Sequence, residues 1–354
     1  MRQVVPLEDA EASSGTKAAT LSRLARAGVA VPDGIVVREA AADGWEPELR
    51  SALRELGGDR FAVRSSALGE DAAQASFAGQ LLTRLDVPTT RVAEAVRDVA
   101  ASAAGAAAYT EATGRSLGED VAVLVQPMLR PVAAGVAFTR HPVTGARGTV
   151  VEAVRGLGES LVSGRAAPQR WQRGSAGGLV ASGTPDVLTE AHAEAVVERA
   201  EQVEKLLGGA QDVEWALDAD GVVWVLQARP VTTGAPALDE TAARTARPLV
   251  SGTAAGPGTA TGPLRVLAGL DDFARFRAGD VLVCRSTAPA WVPVLSRAAA
   301  VVTEVGGILA HAAIVARELG IPAVTDVPAA TRLPDGALVT VDGSAGTITR
   351  LEES

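Results

Sequence analysis

The segment TEVGGILAHAAIVARELGIPAV (303–324) holds His311, one of only three histidines in the chain, four residues after the pair Gly306-Gly307. Apolar residues recur on one face of ILAHAAIVARELG, Gly320 is the residue type that ends helices, and Pro322 bars continuation. His311 is therefore expected in the first turn of a helix. Unsatisfied N–H groups and the positive end of the dipole favour a phosphate there and disfavour an imidazolium. A neutral imidazole in that place is suited to accepting a phosphoryl group. An ordinary hydrogen-bonded histidine at a helix start fits the position equally well.

Three other stretches offer groups that bind phosphate. GTKAATLSRLARAGVAVPDGIVV (15–37) sets Lys17 beside a glycine at a helix start, where an ammonium and backbone N–H groups can hold phosphate together. A solvated surface lysine is the plain alternative. FAVRSSALGEDAAQASFAGQ (61–80) leads Arg64 and two serines from a strand into a loop of small residues, and a guanidinium binds phosphate oxygens in bidentate fashion. DVEWAL (212–217) and VVWVLQARP (222–230) read as paired strands carrying Glu214, Gln227 and Arg229. A carboxylate and an amide oxygen on neighbouring strands can hold Mg²⁺, which keeps several waters and bridges nucleotide phosphates. An exposed carboxylate and a salt-bridging arginine would give the same residues.

These groups need a scaffold, and the chain has the means to build one. At 354 residues, 47% hydrophobic and 21% charged, it can bury a core and divide into two domains. RVAEAVRDVAASAAGAAAY (91–109) and EAHAEAVVERAEQVEKLL (190–207) have helical apolar spacing. VAVLVQPML (121–129), GVAFT (135–139), VEWAL (213–217) and VVWVLQ (222–227) are short, β-rich and turn-bounded, which predicts strands. Residues 232–258, rich in Ala, Thr, Gly and Pro, lack a period and read as a linker. Beyond it GDVLVC, AAAVVT, GALVTVDG and GTITRL predict strands around the helix of His311, in a compact domain over about 247–354. The fold class is α/β in the mixed, α+β sense.

Composition also limits the partners. A net charge of -9 with no basic cluster interleaved with aromatics predicts no nucleic-acid binding, while a small phosphate compound is compatible. No basic segment followed by an apolar core opens the sequence, and no apolar run is long enough for a bilayer, so neither secretion nor a membrane span is expected. The single cysteine, Cys284, cannot form an internal disulfide and fits a cytoplasmic location.

In order along the chain, GPGTATGPLRVL, GDVLVCRSTAPAWVPVL, AAAVVTEVGG, the histidine segment and VDGSAGTITRL resemble the phosphohistidine domain of phosphoenolpyruvate-utilising enzymes. That group includes phosphoenolpyruvate synthase, pyruvate phosphate dikinase and rifampicin phosphotransferase. The resemblance implies that His311 carries a phosphoryl group between two sites. Leu309 stands where plant and bacterial dikinases have a regulatory threonine, so regulation at that position is not expected. Thr287 and Trp291 also fit the pattern, in a lining role or a chemical one.

The upstream stretches, with GVAFTRHPVTG and VRGLGESLVSG, resemble the ATP-grasp domain of the same enzymes. This implies that Lys17, Arg64 and Arg229 contact the phosphates of ATP and that Glu214 and Gln227 hold Mg²⁺. Gly79 and Thr83 match the loop covering the phosphates, and Gln126 matches the strand beside the adenine. His141 replaces the more usual Asn or Asp and is expected to be structural or to support ligand contacts; His192 is expected at the surface. The layout implied is an abridged ATP-grasp domain (1–233), a hinge (234–246) and a small swivelling phosphohistidine β/α domain (247–354). No counterpart of the family's pyruvate-binding barrel or rifampicin-binding domain is expected from these motifs. The implied activity is an ATP-dependent dikinase-type phosphotransferase that passes the β-phosphate through His311 to a small-molecule acceptor. Half of a split enzyme with a separate acceptor-binding subunit is a second reading. A non-catalytic nucleotide-binding or phosphocarrier module is a third, against which the retained residues argue.

Overall fold

The computed structural model describes residues 2–68, 71–72, 75–76, 82–105, 121–162, 168–173, 178–231, 248–308 and 310–351, without the side chains of 71–72, 75–76, 103–105, 160 and 162. The expected hinge at 234–246, Gly79 and Leu309 lie outside the described residues. The chain forms two compact units, Met1–Ala137 with Glu194–Pro230, and Phe138–Ala193 with Val231–Ser354. Both mix helices and sheets, as expected from the sequence. Helix Glu190–Leu207 has the bounds predicted for it, and the four predicted upstream strands appear as Val121–Pro127, Ala133–Arg140, Gln211–Leu217 and Val223–Pro230.

The first unit contains an antiparallel sheet in the order Val4–Pro6, Ile35–Val37, Val121–Pro127, Arg60–Ala67, Thr83–Pro88. Side chains alternate between its faces. Phe61, Val63, Val123 and Val125 bury one face against Leu49 and Leu53 of helix Glu46–Leu56 and against Val96 and Val99 of helix Val92–Gly105. Burying a residue such as Phe61 contributes about 1.5–3 kcal/mol. Register pairs Ala62 with Gln126 and Arg64 with Thr83, so Arg64, Gln126 and Thr83 share the opposite face.

Helix Thr16–Arg26 is tied to that sheet. Gly15, at φ 81°, caps its start, and a Cβ there would sit 1.7 Å from the Ser66 carbonyl oxygen. Only glycine permits this approach. The Ser66 hydroxyl accepts the Ala18 N–H and donates to the Ser14 carbonyl, which fixes the helix start against strand Arg60–Ala67. Strands Gln211–Leu217 and Val223–Pro230 form a hairpin in which Glu214 lies directly opposite Gln227.

The second unit contains an eight-stranded sheet in the order Val250–Ser251, Thr347–Arg350, Leu338–Asp342, Thr259–Val266, Val281–Cys284, Ala300–Thr303, Ala323–Thr325, Thr253–Gly256. The four strands from Thr259–Val266 to Ala323–Thr325 are parallel neighbours. Val281, Val283 and Val302 pack on one face with Val339, while Leu282, Cys284 and Val301 pack on the other beneath Ala312, Val315 and Ala316 of helix His311–Leu319. Burial on both faces explains the continuous apolar runs VLVC and AVVT. The helix ends at Gly320 in the left-handed conformation (φ 68°), as its sequence predicts. The same unit holds an antiparallel meander of Arg147–Arg155, Gln169–Arg173 and Leu179–Gly183.

Candidate functional site

In the first unit the hairpin and strand Arg60–Ala67 bring three of the expected residues together. Arg64 donates from Nη2 to Glu214 Oε2 at 3.0 Å and to Gln227 Oε1 at 2.8 Å, and from Nη1 to the Leu226 carbonyl at 2.6 Å. The guanidinium thus spans the cross-strand pair Glu214/Gln227. Lys17 comes to the same strand, with Nζ 2.9 Å from the Ser65 carbonyl oxygen. At 4% exposure it is buried and far from a solvated surface lysine. Burying an ammonium is costly, and the Ser65 carbonyl is one of the groups that offset that cost.

Other expected residues are held by local partners. Arg229 Nε donates to Asp212 Oδ2 at 2.8 Å, again across the hairpin. Gln126 is buried and donates from Nε2 to the Pro32 carbonyl at 2.8 Å, fastening the segment that follows helix Thr16–Arg26 to the sheet. Thr83 is exposed on the face it shares with Arg64.

Among the described residues no three His, Cys, Asp or Glu side chains gather as a metal-binding group. Glu214 and Gln227 are nonetheless compatible with Mg²⁺. That ion is commonly held by one or two carboxylates with the remaining positions left to waters and phosphates, and Glu214 Oε1 accepts no hydrogen bond among the described residues.

In the second unit His311 is the first residue of its helix, following the loop that leaves the carboxyl end of strand Ala300–Thr303. Thr287 follows the carboxyl end of the adjacent parallel strand, Val281–Cys284. The two meet at 2.8 Å between Thr287 Oγ1 and His311 Nδ1. Residues beyond the carboxyl ends of parallel strands are the usual place for a site in such sheets. His311 is 7% exposed, and burial lowers its pKa to about 4. The ring is therefore neutral at physiological pH, as its helix-start position suggests, with burial as the cause. Among the described residues its Nε2 is buried without a hydrogen-bond partner. Trp291 is buried in a T-shaped contact with Phe273, ring centroids 5.2 Å apart.

The remaining two histidines make local contacts. His141 Nδ1 accepts the N–H groups of Val143 and Thr144, each at 3.2 Å, which closes the turn after strand Ala133–Arg140. Burial, then the charges of Arg170 and Arg317, lower its pKa. His192 is half-buried, its N–H bonded to the Thr189 hydroxyl in the first turn of its helix.

One residue of this site was not anticipated. Glu152, on strand Arg147–Arg155, is fully buried; its Oε1 accepts from Arg170 Nη2 at 2.5 Å and from the Ile308 N–H at 3.3 Å in the histidine loop. In sequence it is one polar residue within TVVEAV, separated by 156 positions from the loop it touches. The expected motif VRGLGESLVSG begins just after it and was the only nearby signal.

Residues 43–184 and 172–248 match the pyruvate phosphate dikinase, AMP/ATP-binding domain, and residues 276–346 match the PEP-utilising enzyme, mobile domain. Among curated proteins the chain is 37% identical over 323 residues to a probable phosphoenolpyruvate synthase of Archaeoglobus fulgidus, covering 81% of this chain and 43% of that protein. It is 32% identical over 417 residues to a probable phosphoenolpyruvate synthase of Methanothermobacter thermautotrophicus, covering 95% and 61%. The phosphoenolpyruvate synthase of Aeropyrum pernix is 35% identical over 359 residues, covering 82% and 44%. The chain spans about half the length of the curated relatives it matches.

Proposed function

The chain belongs to the family of pyruvate phosphate dikinase-type AMP/ATP-binding proteins with a PEP-utilising mobile domain, and from that premise we propose that it is an ATP-dependent phosphotransferase of the dikinase type. The observation that carries the proposal is His311, a neutral imidazole whose Nε2 has no hydrogen-bond partner among the described residues while Nδ1 is held by Thr287. With Nδ1–H donated to the Thr287 hydroxyl, the lone pair resides on Nε2, the nucleophilic atom.

The reaction runs in three transfers. The Nε2 lone pair bonds to the β-phosphorus of ATP as the bond from that phosphorus to the oxygen shared with the α-phosphate breaks, and AMP leaves. Water takes the terminal phosphoryl group as inorganic phosphate. The remaining phosphoryl group passes to an acceptor oxygen, whose proton is released, and the imidazole is restored. The Thr287 hydroxyl can accept from Nδ1–H or donate to Nδ1, so it serves the ring before and after it is charged.

Lys17, Arg64 and Arg229 would bind the nucleotide phosphates, and Glu214 and Gln227 would hold Mg²⁺, which would supply positive charge against the developing negative charge of the transfer. Gln126 would border the adenine, and Thr83 would belong to the cover over the phosphates. Residues 1–233 and 247–354 would act as the nucleotide-binding and swivelling parts, with 234–246 as the hinge, and the protein would work in the cytoplasm. The acceptor would be a small molecule.

Incubation with Mg²⁺ and ATP labelled at the β-phosphate tests the reading. AMP and acid-labile, alkali-stable label on the protein are expected, and both vanish in His311→Ala. Undiminished label in that variant, or ATP binding with neither AMP nor label, overturns the proposal. A screen of small alcohols and acids, pyruvate included, for acceleration of AMP release identifies the acceptor. Acceleration that appears only with a second protein would favour the split-enzyme reading.

A further inference from the structure

Strand Arg147–Arg155 lies within the residues matching the AMP/ATP-binding domain, whereas Gly307 and Ile308 lie within those matching the mobile domain. Both nevertheless belong to one compact unit of the fold. Glu152 is where they touch. Its carboxylate is fully buried and is aimed by Arg170, its directly opposed partner on strand Gln169–Arg173, with Nε at 3.2 Å and Nη2 at 2.5 Å.

The histidine loop is shaped to receive it. A Cβ on Gly307 would fall 2.6 Å from Glu152 Oε2 and 2.7 Å from Oε1, so the carboxylate occupies the space that any side chain at 307 would need. The Ile308 N–H then donates to Oε1 at 3.3 Å. The other anchors come from the loop's own region. Thr325 donates its hydroxyl to the Gly307 carbonyl at 3.2 Å, and Arg317, on the histidine helix, donates to the Ile308 carbonyl at 2.7 Å. Among the described residues Glu152 Oε2 is buried without a hydrogen-bond partner, a cost that withdrawal of the loop would relieve.

We propose that Glu152 is a positioning residue that holds the Gly307–Ile308 peptide, and through it His311, in the arrangement that receives phosphoryl from the nucleotide. The proposal rests on His311 being the phosphoryl carrier. In this arrangement Arg170 aims the carboxylate, Gly307 admits it, and the unpaired Oε2 keeps the attachment reversible, as a carrier that must leave requires.

Two variants and two readouts test it. Glu152→Gln keeps the shape but weakens the charge-assisted bond, whereas Gly307→Ala keeps both charges and puts a methyl group where the carboxylate lies, forcing carboxylate and loop apart. Both are expected to slow single-turnover labelling of His311 from ATP by about tenfold or more with ATP affinity unchanged. Both also raise amide hydrogen exchange across residues 304–310. In Glu152→Ala/Gly307→Ala the clash disappears, so labelling is no slower than in Glu152→Ala alone. Labelling at the parent rate, or loss of ATP affinity in parallel with rate, overturns the role. Should the parent itself take no label, the phosphotransferase reading fails while hydrogen exchange still decides on Glu152: unchanged exchange at 304–310 in both variants sinks it.

Discussion

The two clusters of polar residues treat charge in opposite ways. Around Arg64 the first unit gathers ionised and polar side chains that satisfy one another across three strands, with Glu214 partly open to solvent. Around His311 the second unit strips water away and leaves a neutral ring with one free nitrogen. A binding site for a polyanion gains from fixed, preorganised charge, whereas a group that must take up and then surrender phosphate gains from being uncharged and lightly held. Under the proposed function, the difference separates holding from handing over.

The largest expected effect comes from breaking the second cluster alone. His311→Gln removes AMP formation and labelling while ATP affinity, read by calorimetry, stays at the parent value; a parallel loss of affinity would erase the contrast. Next, Arg64→Ala removes the guanidinium that Glu214 and Gln227 share, and ATP affinity is expected to fall roughly 100-fold, about 3 kcal/mol. Ethoxycarbonylation of His311 by diethylpyrocarbonate should proceed in that variant as in the parent.

The third effect is on pH. The His311 pKa is lowered from 6.5 to about 4 by burial. Between those values the unfolded chain binds a proton that the folded one does not, so the stability conferred by a deprotonated His311 is present above pH 6.5 and lost as pH falls toward 4. Denaturant unfolding at pH 7 and pH 5 should show the parent losing about 2 kcal/mol more than His311→Gln over that interval. Equal losses would mean that the ring is hydrated. The smallest effect is Thr287→Val, which deletes one hydrogen bond to Nδ1 and is expected to cost about 1 kcal/mol of stability. Labelling should slow by roughly tenfold as the tautomer is freed.

The sequence made the histidine helix plain because its signals are local. The glycine pair, the apolar face, Gly320 and Pro322 sit within one short stretch, and the helix His311–Leu319 follows them. The pairing of Glu214 with Gln227 was legible for a similar reason, since two β-rich runs separated by a turn dictate a hairpin. Lys17 was harder. Its type and setting fit solvent as well as a buried contact, and its burial depends on Ser66, whose hydroxyl clamps the helix start from a strand 48 positions away. Glu152 was invisible because alternation in TVVEAV says only that a polar side chain interrupts an apolar strand. The passage between the compact units inside strand Ala133–Arg140 has no compositional mark either, because it depends on which surfaces bury each other.

Cys284, the chain's one thiol, is sealed inside its strand, and burial pushes its pKa up to about 12. A maleimide dye therefore finds no native thiolate to attack near neutrality. A cysteine installed at an exposed position such as Leu338, 45% accessible, would be modified selectively without first deleting the natural one. Single-molecule fluorescence on an otherwise unaltered protein is within reach for that reason.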